Sequence, residues 1–210
     1  EAAPLRVHDL RLDRVAEMLR ASGAKRVLDL GCGEGRLLRR LVIMPQIEQL
    51  VGQDLSAKSL EIAAKKLHLR ERPELAGRVR LLHGSLSYPD SRLKGFDAAA
   101  LVEVIEHLEP HRLTALSENV FGFARPQLVL LTTPNREYNA TFEDPTRTPM
   151  RTFRHADHRF EWTRAEFETW ATSVAERYGY SVEFEGIGAT DPTYGAITQM
   201  GIFRKIKREE

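Results

Sequence analysis

Glu103, Glu106 and His107 stand close together in the stretch LVEVIEHLEPH, Leu101 to His111. An apolar run breaks there. At ~100° per residue, a helix starting at the break would gather the three on roughly a 100° arc of one face. Two carboxylates and an imidazole so gathered make a donor set for a divalent cation, and the lack of thiolates disfavours structural zinc. The mixture suits manganese, with magnesium as the alternative. A second reading stays open on these residues alone, because acids in a first helical turn are stabilised by the helix's positive end and need no ion. His111, one turn further on, reads as a helix-surface histidine. His8, His68 and His83 have no motif around them and read as structural or solvated.

The other chemical group is LDLGCGEG, which sets Gly31, Gly33 and Gly35 between an apolar strand and an amphipathic helix. Small residues there let the backbone approach a ligand, and the helix start favours polar or anionic groups. Asp54 ends the next strand about twenty residues on, where a carboxylate can hold ribose hydroxyls. The third glycine comes too early for a dinucleotide-binding turn, and Asp29 precedes it. Cys32, the only cysteine, reads as a small buried filler beside the ligand.

Both groups sit at strand ends, so the strands must position them. LRLDRVAEMLRASG has helical spacing and a glycine stop. RVLDL, QLVGQDLS, RVRLLHGSL, FDAAALVEV and QLVLLTTPN read as five successive strands with helices between them, Ser56 capping one helix and another running from about Pro110 to Ala124. After the helical RAEFETWATSVAERYG come YSVEFEGIG and AITQMGIFRKI, which can pair as antiparallel strands. Alternating strands and helices predict an α/β domain with a doubly wound, mostly parallel sheet covered on both faces. Residues 136–163 break the pattern with Pro145, Pro149 and many arginines and histidines; an irregular insertion of that length inside a compact domain is usually functional.

Composition narrows the classes. The chain has 210 residues, 42% hydrophobic and 29% charged, which suits one soluble domain. A net charge of +1 excludes polyanion binding by bulk charge. One cysteine excludes a disulfide framework. No apolar run reaches the ~18 residues of a membrane span, and no signal-peptide pattern opens the chain, so we expect a cytoplasmic protein with no membrane partner. The start at Glu1 rather than Met suggests part of a longer protein.

The string D-L-G-C-G-E-G resembles motif I of the class I S-adenosylmethionine-dependent methyltransferases, whose Rossmann-like fold has seven strands with an antiparallel last strand. That resemblance implies S-adenosylmethionine held by Asp29, Gly31, Gly33 and Asp54, with Ser85 and Leu86 flanking its adenine. EVIEH, TTPNREYN and RHADHRFEWTRAEF, in that order, further resemble the methyltransferase domain of the bacterial Hen family of RNA 3′-terminal 2′-O-methyltransferases. DHRFEWTR is the most specific of these strings. The resemblance implies a catalytic metal quartet of Glu103, Glu106, His107 and His158; His155 competes for the last place, and His158 is preferred because it sits in the D-H-x-F-E-W match. It also implies an RNA 3′ end as substrate, a role in bacterial RNA repair, and a polynucleotide kinase-phosphatase-ligase partner reached through an N-terminal region not in this chain.

Five arginines between Arg147 and Arg164 make the insertion locally cationic and suited to RNA phosphates and bases. Asn135, Tyr138 and Asn139 either line the substrate pocket or, for Pro134-Asn135, form a turn. The competing functional readings are a metal-dependent small-molecule O-methyltransferase and a non-catalytic RNA-binding module.

Overall fold

The computed structural model describes residues 4–75, 77–142 and 153–207. Pro145, Pro149, Arg147 and Arg151 of the insertion lie outside that range. The elements are α1 (Pro4–Ala21), β1 (Arg26–Leu30), α2 (Arg36–Leu41), β2 (Gln49–Asp54), α3 (Ala57–Lys66), β3 (Val79–His83), β4 (Ala98–Val102), α4 (Leu113–Ser117), β5 (Leu128–Pro134), α5 (Arg164–Tyr178), β6 (Tyr180–Asp191) and β7 (Gly195–Lys205).

The sheet has seven strands in the order β3-β2-β1-β4-β5-β7-β6. β1 to β5 pair in parallel, and β7 runs antiparallel to both β5 and β6. This is the fold class expected from the sequence. Central strands buried on both faces must be apolar throughout; accordingly every residue of β5 is buried, as are all of β1 after Arg26. One core layer packs Leu12, Val15, Leu19, Leu37, Leu38 and Leu41 of α1 and α2 against the sheet. The other packs Leu116, Phe121, Phe167 and Phe203 from the opposite side, with Phe121 and Phe203 ring centroids 4.8 Å apart. Fully burying each such side chain stabilises the fold by about 1.5–3 kcal/mol.

Local signals fix the helix ends. Ser56 caps α3 by accepting from the Ser59 amide, as its position predicted. Thr163 and Glu166 form a reciprocal capping box at the start of α5, and Gly179 ends it at φ 77°. The helical stretch from Pro110 to Ala124 is present but irregular: one 3-10 turn, α4, then a π-helix over Glu118–Ala124. Among the described residues, no helix is long and apolar enough to cross a membrane.

The strand order reverses between β1 and β4, which are direct neighbours. Ligands of open α/β sheets bind outside the carboxyl ends of strands at such a point. Both chemical groups of the sequence sit there.

Candidate active site

The turn after β1 needs glycine on conformational and steric grounds. Gly31 and Gly33 have φ of 78° and 51°, in the left-handed region, and a Cβ on Gly31 would lie 2.6 Å from Val104 Cγ2. Nothing approaches a Cβ on Gly33 within 4 Å, so that backbone faces open space. The Gly33 amide donates to Asp54 Oδ2 at 2.8 Å, and the Ser56 amide donates to Asp54 Oδ1 at 2.8 Å. Beside the turn lies a cavity of about 310 Å³ lined by Asp29, Gly31, Cys32 and Gly33, with His8 and Leu12 of α1 across from them.

Asp29 is buried and its Oδ2 has no hydrogen-bond partner. Burial, and secondarily the charge of Asp54, pushes its carboxyl up to about 7. An unpaired buried carboxyl in a cavity suits an ammonium group, which the methionyl end of S-adenosylmethionine carries. Cys32 is buried as expected, and burial pushes its thiol up, so it is an inert wall. Ser85 and Leu86 follow β3 and do not line this cavity. Ser85 Oγ accepts from the Ser87 amide, and the Leu86 carbonyl accepts from Asn119 Nδ2. Leu55, next to Asp54, is 68% exposed and offers an apolar face on that side.

The acidic stretch is not helical in the way its spacing suggested. Glu103 leaves β4 at φ 55°, and only Ile105–His107 form a single 3-10 turn. The cause is local on both sides. The Glu103 amide donates to the Thr132 carbonyl, which prolongs the β4–β5 ladder by one residue. Glu109, preceding Pro110, is held extended and stops any helix from continuing. A lone 3-10 turn has little dipole to stabilise acids, so the helix-start explanation of these carboxylates loses its basis.

Glu106, His107 and His158 each offer a ligand atom within 4.8 Å of the others. Glu106 is fully buried; Thr133 Oγ1 donates to its Oε2 at 3.1 Å, and its Oε1 has no partner. Burial first, and then the neighbouring Glu103, raises its carboxyl well above the ordinary range. The His107 and His158 rings meet edge to face at 4.9 Å. His107 Nδ1 lies 3.2 Å from Asp157 Oδ2, and His158 Nδ1 lies 2.6 Å from Glu161 Oε1. His155 is exposed and stands outside the cluster, 5.1 Å from the His158 ring. An orphaned buried carboxylate oxygen grouped with two imidazoles fits a divalent cation.

Glu103 is held apart from these three. Its Oε1 accepts from Thr132 Oγ1 at 2.9 Å, and its Oε2 pairs with Arg11 Nη2 at 3.1 Å. Arg11 is itself buried and donates to Thr198 Oγ1 at 2.6 Å.

The insertion reaches the cluster by backbone ties. The Arg159 amide donates to the Glu106 carbonyl at 2.7 Å, and the Arg136 amide donates to the Trp162 carbonyl. Among the described residues, its arginines and the adjoining Arg164 have partners within the protein. Arg154 donates to Asn139 Oδ1 and to the carbonyls of Asn135 and Ile197, so it is scaffold. Arg159 pairs with Glu109, and Arg164 with Glu137. Asn135 is buried and its amide donates to the Tyr194 and Ala196 carbonyls, which settles it as a structural turn residue. Asn139 is taken up by Glu161 and Arg154, while Tyr138 meets Phe142 edge to face, with ring centroids 5.5 Å apart.

Comparison with known proteins decides the family. Residues 27–127 match the family model described as a methyltransferase domain. The crystal structure of the methyltransferase domain of bacterial CtHen1 is 47% identical, superposes with a TM-score of 0.85, and is matched over 95% of this chain and 98% of its own. The chain belongs to the Hen1 family. The small RNA 2′-O-methyltransferase of Rattus norvegicus is 43% identical over 203 residues, covering 93% of this chain but 50% of that protein. The chain thus spans about half the length of that relative. A chain of the Pnkp1/Rnl/Hen1 RNA repair complex shares the fold, with a TM-score of 0.69 at 20% identity, over 95% of this chain and 41% of its own.

Several residues of this Hen1-family site escaped sequence reasoning. His8 lines the cavity although no motif surrounds it, because α1 folds across the turn. Arg11, Thr132 and Thr133 grip the acidic pair from elements remote in sequence, and nothing in the chain order signals that. Glu161 stands in DHRFEW, three residues after His158, but the string itself does not signal its contact with that ring.

Proposed function

We propose that this chain transfers a methyl group from S-adenosylmethionine to the 2′-hydroxyl of the 3′-terminal ribose of RNA, with help from a divalent cation. The observation that carries the reading is the convergence of Glu106, His107 and His158 around an unpaired buried carboxylate oxygen. That cluster lies one residue contact from the glycine turn, through Val104 against Gly31.

Methyl transfer is an in-line displacement at a sulfonium carbon, so the protein's work is mainly alignment. Asp29 holds the donor's ammonium, the Gly31 and Gly33 backbone admits its chain, and Asp54 takes its ribose hydroxyls. Ser85 and Leu86 remain the assignment for the adenine edge. Glu106, His107 and His158 hold the cation, manganese before magnesium. Glu103 is assigned to the same set by family resemblance and would exchange its Arg11 contact to join them. When bound, the cation supplies Lewis acidity that makes a hydroxyl easier to deprotonate. An internal ribose has no free 3′-hydroxyl and DNA has no 2′-hydroxyl, so a site that requires both selects an RNA 3′ end.

The chain is read as one methyltransferase domain, with the insertion at 136–163 forming the acceptor wall. By the family resemblance, the chain is assigned a role in bacterial RNA repair, in the cytoplasm; a chain of the Pnkp1/Rnl/Hen1 RNA repair complex shares its fold. A polynucleotide kinase-phosphatase-ligase partner would then be met through a region outside this chain.

The test is labelled donor with RNA oligonucleotides ending in ribose, 2′-deoxyribose, 3′-deoxyribose or a 3′-phosphate, with and without chelator. Methylation of the ribose end alone, abolished by chelator, is expected. Methylation of the 3′-deoxy end in chelator would sink the two-hydroxyl reading, and methylation of catechols instead of RNA would favour a small-molecule enzyme.

A further inference from the structure

We propose that Glu161 is a positioning residue that fixes the tautomer and orientation of His158, so that the Nε2 lone pair alone is offered to the acidic cluster. The inference deepens the metal reading above and rests on it for its purpose, though not for its geometry.

Glu161 is buried and accepts from several donors at once. His158 Nδ1 lies 2.6 Å from Oε1, the Arg154 amide donates to Oε1 at 2.6 Å, and Asn139 Nδ2 donates to Oε2 at 2.6 Å. An ionised carboxylate only accepts, so the His158 Nδ1 facing it carries a hydrogen, and in the neutral ring Nε2 is then bare. Neither ring rotation nor the other tautomer preserves this bond. Asn139 is in turn held by the Arg154 guanidinium, which is anchored on the Asn135 and Ile197 carbonyls. The orientation of His158 is therefore referred back to β5 and β7 rather than to the surface insertion on which it sits. His107 has a looser arrangement: its Nδ1 faces an exposed aspartate, Asp157, at 3.2 Å. Histidines that ligate metals commonly donate their other N–H to such a carboxylate, and removing it typically weakens the metal 10–100-fold.

The experiment uses the metal-free chain with ¹⁵N-labelled histidine, at a pH well above the ordinary imidazole range. Long-range ¹H–¹⁵N spectra of the wild type should show His158 as the Nδ1–H tautomer, and Glu161→Ala should move it toward the Nε2–H form that free histidine favours. Wild-type His158 in the Nε2–H form overturns the proposal. Manganese titration followed by electron paramagnetic resonance should show Glu161→Ala roughly 10–100-fold weaker. Glu161→Gln, which keeps one acceptor oxygen, should lose less, and S-adenosylhomocysteine binding should be unchanged in both. Unaltered manganese affinity in folded Glu161→Ala, where His158→Ala does weaken manganese, also overturns it. Should Glu161→Ala fail to fold, the wild-type tautomer and Glu161→Gln still decide. Failure of the metal reading looks different: His158→Ala would then bind manganese as the wild type does, while the tautomer still reports on Glu161.

Discussion

Glu106 and Asp29 are both buried carboxyls with an unpaired oxygen, and each has a measurable signature. Burial and Glu103 hold Glu106 well above the ordinary range, so a neutral amide of the same shape should suit the metal-free fold. Glu106→Gln is expected to melt no lower than the wild type while losing methyl transfer and manganese binding, with S-adenosylhomocysteine binding retained. Retained transfer would count against Glu106 as a ligand. For Asp29 the sign follows from its raised folded value of about 7 against 3.8 unfolded. The folded chain keeps a proton that the unfolded chain gives up, so this stabilisation is complete below about pH 4 and is lost as pH rises through about 7. Thermal melts of the donor-free protein should fall across that window by more in the wild type than in Asp29→Asn. Parallel profiles would contradict the burial of an unpaired carboxyl.

At the scale of elements, the turn after β1 and the loop after β4 are pressed together at one point, Gly31 against Val104. Gly31→Ala would cost about 1–2 kcal/mol for its left-handed backbone and would also displace Val104, which sits between Glu103 and Glu106. One substitution should therefore weaken both S-adenosylhomocysteine and manganese binding in calorimetry; loss of donor binding alone would mean that the loop yields independently. The apolar runs, the glycines and the Ser56 cap made these elements legible in the sequence, since each is a local signal. The backbone of Glu103 was not legible. It depends on the Thr132 carbonyl of another strand and on Pro110 cutting the helix short, and the helical arc drawn from spacing alone was wrong for that reason. The pairing of the insertion's arginines was likewise not legible: their charge is in the sequence, but the partners of Arg154, Arg159 and Arg164 are supplied by tertiary contacts.

Over the whole molecule, Arg11 joins three distant parts of the chain: α1, which carries it, the Glu103 loop, and Thr198 of β7. Removing one partner of a buried ion pair strands the other, so Arg11→Ala should cost on the order of 3 kcal/mol in urea unfolding. A loss below about 1 kcal/mol would class the contact with ordinary surface pairs. The order of the sheet also divides labour along the chain. The proposed donor residues run from Asp29 to Leu86, and the proposed acceptor residues from Glu103 to Glu161. The general methyltransferase match ends at residue 127, before His158 and Glu161. The chain crosses from β3 back to β4, beside β1, between the proposed donor residues and the proposed acceptor residues. A chimera that keeps residues 1–102 and takes its later segments from a relative with another acceptor must therefore also keep partners for Arg11 at positions 103 and 198 and room for Gly31 beside position 104.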